Sequence, residues 1–262
     1  MLTSIVITKN EEQMIGDCLM SLKFSDEIIV VDTGNTDATN SIACKYKAKI
    51  VKSKGSDYSQ FRNAGLAAAT GDWVLYVDAD ERVTPLLKKE IEQIVDSAES
   101  KSAYALPRKS IILGREMNYG GWGSNLESPH NSYAVRLLKK SSLKGYRGML
   151  HEQPEFEGEL GYVKNSLVHI THRDLSSMLE KTLTFTNFEA KLRLQANHPP
   201  VVPWRVIRVM LTEFRLRFVK LSAWRDGVEG IVDGVFQVFN SFVIYARLWE
   251  MQQAKNEKSR NL

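Results

Sequence analysis

The first hundred residues alternate between short apolar runs and longer amphipathic segments. Runs such as Trp73–Val77 contain no polar interruption, which is typical of strands buried on both faces of a parallel sheet. The intervening segments repeat apolar residues at helical spacing, and Thr84 followed by Pro85 is a helix start signal. The pattern predicts strands at 4–8, 27–31, 49–51 and 73–77 and helices at 11–22, 37–46, 58–69 and 85–96. This alternation predicts an α/β fold with right-handed crossovers.

A polar loop follows each of these strands, at 8–11, 32–37, 52–57 and 78–82. Because the carboxyl ends of parallel strands meet at one edge of a sheet, and ligands of open α/β sheets bind there, the loops together predict a binding site. Asp78 and Asp80, one residue apart at the end of the fourth strand, are able to hold a hard divalent cation that in turn holds a pyrophosphate. The alternative is a solvated surface turn, because aspartate is favoured in turns.

The pattern changes after residue 103. Short strands are predicted at 104–107, 111–113 and 134–138, with a glycine-rich connector at 119–123, and together they suggest a mixed sheet. A helix is predicted over 174–195 with Asp174 as its N-cap, and the prolines at 199–203 mark a boundary. We therefore predict a domain over 1–198, with a donor-binding half at 1–100 and an acceptor-side half at 101–198. A helical extension follows at 199–262.

The extension carries an apolar stripe with basic side chains around it. Residues 191–225 hold eight Lys or Arg against one acid, Glu213, whereas the whole chain has a net charge of +4. Such a helix either lies in an anionic membrane interface, here over 204–225, or packs on the core with a solvated basic face. The segment 228–249 contains polar residues and is predicted to be packed or interfacial, too polar to span a bilayer. The stripe consists of Trp204, Ile207, Leu211, Phe214, Phe218 and Leu221.

Composition narrows the class of protein further. At 262 residues, 43% hydrophobic and 25% charged, the chain has ordinary globular values. Cys18 and Cys44 are far apart and suggest neither a disulfide framework nor a zinc site, and no export signal is visible, so a reducing, cytoplasmic location is expected. Nucleic-acid binding is not expected, because the aromatic residues of the basic segment fall on one helical face and do not interleave as stacking platforms.

Four segments resemble glycosyltransferase family 2 in their order and spacing. They are Ile5–Glu12 (IVITKNEE), Ile28–Thr39 (IIVVDTGNTDAT), Phe61–Gly65 (FRNAG) and Val77–Glu81 (VDADE). The resemblance implies a GT-A fold, a Rossmann-like nucleotide-sugar-binding sheet flanked by helices, and transfer of a sugar with inversion. Later segments are similar to bacterial lipopolysaccharide core glycosyltransferases that add a β-linked glucose to inner-core heptose. Those segments are YGGW at 119–122, VRLLKK at 135–140, LHEQ at 150–153 and VHITHRDL at 168–175.

The family resemblance implies a role for one set of residues in binding the donor. Residues after the first strand would contact the nucleoside, Asp32 would pair with the base edge, and Arg62 would reach the base or the pyrophosphate. Asp78 would contact the ribose, and Asp80 would bind Mg²⁺ or Mn²⁺. Taken one at a time, Asp32 and Arg62 are as well explained by turn chemistry and a helix-surface charge. The donor set is Thr8, Asn10, Glu11, Asp32, Arg62, Asp78 and Asp80.

The same resemblance assigns the catalytic and acceptor side. Glu152, in the matching His-Glu motif, is the candidate base that takes the proton of the acceptor hydroxyl. His169 is a candidate second metal ligand, with a structural imidazole as the alternative and His172 as a poorer candidate. Trp122 and His151 are assigned to the acceptor side, where Trp122 would stack on a sugar or pack in a loop.

The predicted function is metal-dependent, inverting transfer of a hexose from UDP-glucose to a lipopolysaccharide inner-core heptose. The predicted location is cytoplasmic and peripheral on the inner membrane, with a lipid-linked oligosaccharide as acceptor. Alternatives keep the fold but change the acceptor to a polyprenyl phosphate, a capsule glycan or a protein. A sugar nucleotidyltransferase and an inactive nucleotide-binding protein are alternatives from other classes.

Overall fold

The computed structural model describes residues 1–119, 132–148 and 152–260. It divides the chain into two compact units. One contains Met1–Lys109 and Tyr133–His169, and the other contains Ser110–Ser132 and Ile170–Leu262. The boundary predicted at residue 198 lies inside the second unit.

The amino-terminal part of the first unit alternates strands and helices as predicted, with ends that differ by a few residues and one strand, β5, that was not predicted. The largest difference is at α1, which begins at Ile15 because Glu11 to Met14 form a turn closed by a bond from the Met14 amide to the Glu11 carbonyl. The Thr84 hydroxyl caps α4 by accepting from the Leu87 amide. The elements are β1 Leu2–Thr8, α1 Ile15–Ser21, β2 Glu27–Asp32, α2 Thr39–Lys45, β3 Lys49–Lys52, α3 Tyr58–Ala68, β4 Trp73–Asp78, β5 Glu81–Val83 and α4 Pro85–Asp96.

The strands that follow are longer and more numerous than predicted. One strand, β6, replaces the two that were predicted at 104–107 and 111–113 and ends at Ile112. The two join because the φ of Pro107 is compatible with an extended chain and proline removes only its own donor from the ladder. The elements are β6 Ala103–Ile112, β7 Arg115–Glu116, β8 Ser132–Lys139, β9 Leu143–Arg147, β10 Gln153–Phe156, β11 Leu160–Tyr162 and β12 Leu167–Ile170.

The sheet is mixed, as predicted. Its strand order is β3-β2-β1-β4-β8-β6-β12-β5, with β7 and β11 also paired to β6. The first four strands are parallel, whereas β8 runs antiparallel to β4 and β12 runs antiparallel to β5. The β9 and β10 strands form a separate antiparallel pair. The parallel half is the part that the sequence pattern predicts most directly.

Both faces of the sheet are covered, which explains the uninterrupted apolar runs. Val6 and Val77 belong to one core cluster, while the neighbouring Ile5 and Tyr76 belong to the other. Gly65 of α3 lies where a β-carbon would come 2.4 Å from the Ile5 Cγ2 atom. The helix therefore approaches β1 more closely than any side chain at this position would permit.

The second unit is largely helical, with α5 at Leu175–Gln195, α6 at Pro203–Phe214 and α7 at Gly227–Arg260. Asp174 caps α5 as predicted, in a reciprocal capping box with Ser177. A π-helical stretch, Arg215–Lys220, continues α6, and α7 packs on both α5 and α6. Within the described residues, the helix over Ala223–Lys255 has the length and apolar composition of a membrane span, and most of its apolar stretch is not buried. The sequence-based expectation that it is too polar to span did not anticipate this.

Candidate active site

Three predicted site residues end neighbouring parallel strands. Thr8 pairs in register with Asp32, and Ile7 pairs with Asp78, so the ends of β1, β2 and β4 lie side by side. Thr8 and Asp32 are buried, and the Asp78 side chain is 34% exposed. The prediction that the polar loops share one edge of the sheet is confirmed.

The Asp32 carboxylate organises the loop that follows it. It accepts hydrogen bonds from the amides of Gly34 (2.8 Å) and Asn35 (2.7 Å) and from the Asn40 side chain (2.8 Å). Burial raises its pKa, but these bonds, together with Lys52, outweigh burial and hold the pKa below its ordinary value. The turn chemistry considered as an alternative for Asp32 is therefore present, and its contact with a base stays a prediction.

Asn35 joins the first two loops. Its Nδ2 donates to the Thr8 hydroxyl (2.8 Å) and to Asn40 (2.9 Å), and its Oδ1 accepts from the Asn10 amide (2.8 Å). Asn10 has a positive φ of 58°, and its own Oδ1 accepts from the Thr36 amide. Because these bonds fix both loops, Asn10 acts first as a loop-building residue, which the sequence motif did not reveal.

The Glu11 side chain, also assigned to the donor, lies at the start of the turn before α1. Its backbone amide donates to the Thr39 hydroxyl at 2.8 Å. That hydroxyl in turn donates to Asp37 at 2.5 Å. The segment after β2 therefore holds the first loop through the Thr39 side chain.

Arg62 connects the predicted base to the strand end. Its Nε donates to Glu152 Oε1 at 2.8 Å, and its Nη2 contacts Asp78 Oδ1 at 3.3 Å. The guanidinium lies over the rings of Tyr76 and Tyr146, 5.3 and 5.4 Å from their centroids. Arg62 is 5% exposed, so it is not the helix-surface charge considered as an alternative. It brings Glu152 and Asp78 together within the first unit.

Arg136 is a site residue that the sequence analysis missed. Its guanidinium binds both oxygens of Asp78 and lies 3.3 Å from the fully buried Glu81. Glu81 also accepts from the Asp78 amide at 3.0 Å. The only sequence signal was the position of Arg136 in the VRLLKK segment, since a charged residue in an apolar strand requires a buried partner.

These two arginines determine the charge state of Asp78. Burial raises the pKa of its carboxyl, and Asp80 adds to that effect, but Arg136 and Arg62 outweigh both and hold the pKa well below its usual range. Asp78 is therefore ionised, and it is positioned at the strand end by two cationic side chains.

Asp80 and His169 lie together, as the predicted metal pair requires. The His169 Nε2 is 3.3 Å from Asp80 Oδ2, and the side chains are 14% and 21% exposed. Asp80 occupies the turn between β4 and β5, and β12 places His169 opposite Glu81 of β5. The antiparallel pairing of β12 with β5 therefore brings His169 to the acidic turn from 89 positions away in the chain.

This pair fits the donor chemistry of Mg²⁺ or Mn²⁺ only in part. A carboxylate oxygen suits both cations, and an imidazole nitrogen suits Mn²⁺ better. In the described ranges no group of three or more His, Cys, Asp or Glu is placed to hold a metal ion. A cation at Asp80 and His169 would therefore need the oxygens of a bound ligand or water to complete its coordination.

Three predicted residues remain to be placed. Trp122 and His151 lie outside the described residues. His172 belongs to the second unit, where it is buried with Nδ1 3.9 Å from Asp233.

Comparison with known proteins identifies the family. The glycosyl transferase family 2 model matches residues 3–134, and the chain belongs to that family. The observed mixed sheet flanked by helices is its GT-A fold.

Two relatives match over nearly the whole chain. An uncharacterized glycosyltransferase of Rickettsia typhi is 27% identical, over 100% of this chain and 89% of its own length. The lipopolysaccharide core biosynthesis glycosyltransferase LpsC of Rhizobium meliloti is 22% identical, over 97% and 94%. A crystal structure of Mycobacterium tuberculosis glucosyl-3-phosphoglycerate synthase is 24% identical with a TM-score of 0.36, over 42% of this chain and 43% of that one.

Proposed function

We propose that the protein transfers glucose from UDP-glucose, with inversion, to a heptose of a lipid-linked lipopolysaccharide core. The observation that carries the proposal is the convergence of Asp78, Asp80 and Glu152 at one strand edge, two of them joined through Arg62. The acceptor class is supported by the whole-length similarity to LpsC, whose name describes lipopolysaccharide core biosynthesis. The proposed location is the cytoplasmic face of the inner membrane, where such an acceptor would be met.

Glu152 is the proposed general base. Its Oε1 accepts from Arg62 Nε at 2.8 Å, so the second carboxylate oxygen would be the atom that receives the proton of an acceptor hydroxyl. The carboxylate would take the hydroxyl proton as the oxygen attacks the anomeric carbon and the bond to the diphosphate breaks. General-base assistance of this kind contributes about 10²- to 10⁴-fold to the rate.

Asp80 and His169 are the residues proposed to hold Mg²⁺ or Mn²⁺. When bound there, the cation would neutralise the negative charge of the leaving diphosphate. Asp78 would accept a hydrogen bond from the ribose while the two arginines keep it ionised and oriented. The ordered loops around Asp32 and Asn10 would hold the nucleoside.

The test is turnover of UDP-glucose with purified core oligosaccharides of defined heptose content. Glu152→Gln is expected to lower kcat about 10²-fold or more while UDP binding is retained, and Asp80→Asn to weaken UDP binding in the presence of Mn²⁺. Glu159→Gln and Asp96→Asn are the matched exposed controls. Full turnover by Glu152→Gln would refute the assignment of Glu152 as the base. Release of pyrophosphate in place of UDP would indicate a nucleotidyltransferase. Transfer only to a different acceptor would refute the proposal of heptose as the acceptor.

A further inference from the structure

The second unit exposes far more apolar surface than the first. On α6, Trp204, Ile207 and Leu211 are 54%, 58% and 63% exposed. On α7, Val228 and Val235 are 72% and 55% exposed. Spacings of three, four and seven residues place each set along one side of its helix. The part of the predicted stripe that lies on α6 therefore faces solvent, whereas Leu221, beyond α6, is buried and the predicted stripe is wrong at that end. Contiguous exposed apolar surface of this kind marks an interaction site.

The interior of the same unit contains many polar side chains beside apolar ones such as Met178 and Leu248. Asp233, Gln237 and Asn240 of α7 are buried, and Asn240 accepts from the Thr182 hydroxyl of α5 at 2.5 Å. The Gln237 amide donates to Asp233 at 3.1 Å. Polar groups bonded to one another inside, with apolar side chains outside, reverse the arrangement of a water-soluble helical domain and match helices that face lipid.

Positive charge borders the α6 stripe. A groove of about 420 Å³ on α6 is lined by Trp204, Ile207 and Leu211 together with Arg208 and Arg215. The Arg208 guanidinium lies 5.9 Å from the Trp204 ring centroid. An apolar surface with guanidinium groups at its rim is complementary to acyl chains beneath anionic headgroups.

We propose that α6 and the amino-terminal half of α7 lie in the interface plane of an anionic membrane. Trp204, Ile207 and Leu211 enter the acyl boundary, while Arg208 and Arg215 contact the headgroup phosphates. The helices would lie in the plane and not span, because α5 and α6 pack against α7 and its polar residues Asp233, Gln237 and Asn240 are buried within the unit. This inference does not depend on the sugar donor or on the acceptor.

The experiment measures binding of the full chain to vesicles by cosedimentation. Phosphatidylcholine vesicles with a minority of phosphatidylglycerol are compared with phosphatidylcholine alone, at low and high salt. We expect binding to the anionic vesicles that weakens with salt and is released by an alkaline carbonate wash. Leu211→Asp is expected to lower the partition coefficient by more than about tenfold. Leu86→Asp is the matched control, because Leu86 lies on α4 in the first unit and is also 63% exposed.

A second pair of variants separates charge from apolar contact. Each basic residue near an anionic surface contributes about fivefold to partitioning, so Arg208→Gln with Arg215→Gln should lower it about 25-fold. Lys45→Gln with Lys89→Gln removes the same charge from exposed positions of the first unit and should leave binding unchanged. Circular dichroism establishes that each variant is folded.

Four results would overturn the proposal. Equal binding to neutral and anionic vesicles, or none to either, would remove the lipid assignment. A dimer in sedimentation velocity that Leu211→Asp dissociates, without lipid binding, would show that a second copy covers this face. Retention in the membrane after the carbonate wash would show that α7 spans the bilayer.

Discussion

Replacing Arg136 with methionine tests the buried charge network at the strand edge. Arg136 is 5% exposed and binds two carboxylates, Asp78 and the fully buried Glu81. Methionine preserves much of the apolar volume of the side chain but removes the positive charge. The substitution therefore leaves the buried Glu81 carboxylate without Arg136, and it separates the electrostatic effect from a packing defect.

Breaking a buried ion pair by removing one partner costs about 3–5 kcal/mol. Asp78 is one-third exposed, so water compensates for part of its loss, and Arg108 remains 3.7 Å from Glu81. We therefore expect Arg136→Met to lower the free energy of unfolding by about 3 kcal/mol, the lower end of that range. Adding Glu81→Gln to that variant should restore about 1–2 kcal/mol, because a neutral amide is less costly to bury than an unpaired carboxylate.

The assay is urea unfolding at neutral pH, followed by circular dichroism, for both variants and for Arg147→Met. Arg147 also pairs with a glutamate, Glu155, at 2.9 Å, but its side chain is 81% exposed. Surface pairs contribute little, so this control should be indistinguishable from the wild type. The reasoning would be refuted if Arg136→Met lost no more stability than Arg147→Met, or if adding Glu81→Gln restored none of the lost stability.

Two further predictions concern the scaffold. Gly65→Ala should destabilise the protein by about 1–3 kcal/mol, because its new methyl group would clash with Ile5. Gly16→Ala is the control: its β-carbon would lie 3.7 Å from the Ile42 Cγ2 atom, and the variant should be neutral or stabilising in the same unfolding assay. Burial raises the pKa of Glu27, but hydrogen bonds from Thr70 and Thr3 outweigh burial and lower the pKa below its ordinary value. The contribution of Glu27 to stability is therefore complete above the unfolded pKa of about 4.3 and is lost as the pH falls below that value. Unfolding curves of Glu27→Gln should lose that part of the acid dependence, and curves parallel to the wild type would contradict it.

Local sequence patterns predicted the parallel half of the sheet well. Strand β4 and helix α4 were recognisable because an uninterrupted apolar run and a Thr-Pro start are decided by neighbouring residues. The position of Asp78 and Asp80 at a strand end follows directly from that strand. Strand β6 was less predictable, because Pro107 locally favours a break and only pairing with distant strands keeps the chain extended.

The candidate site shows the same division. The family motifs picked out Asp32, Arg62 and Asp78 as site residues, but they gave no sign of the protein groups that hold these side chains in place. Asp32 is engaged by its own loop, and Arg62 reaches Glu152, 90 residues further along the chain. Neither contact has a signature within a short window of sequence.

By itself, the amino-acid sequence determined the alternation of strands and helices in the first hundred residues, the edge at which the polar loops meet, and the apolar and basic character of the C-terminal segment. These properties depend on residue periodicity and turn chemistry, which act over a few residues. Only the tertiary structure decided that Arg136 binds Asp78, that His169 lies against Asp80, and that the α6 stripe faces outward. Each of these depends on which distant surfaces come together, because burial and charge pairing are properties of the packed chain.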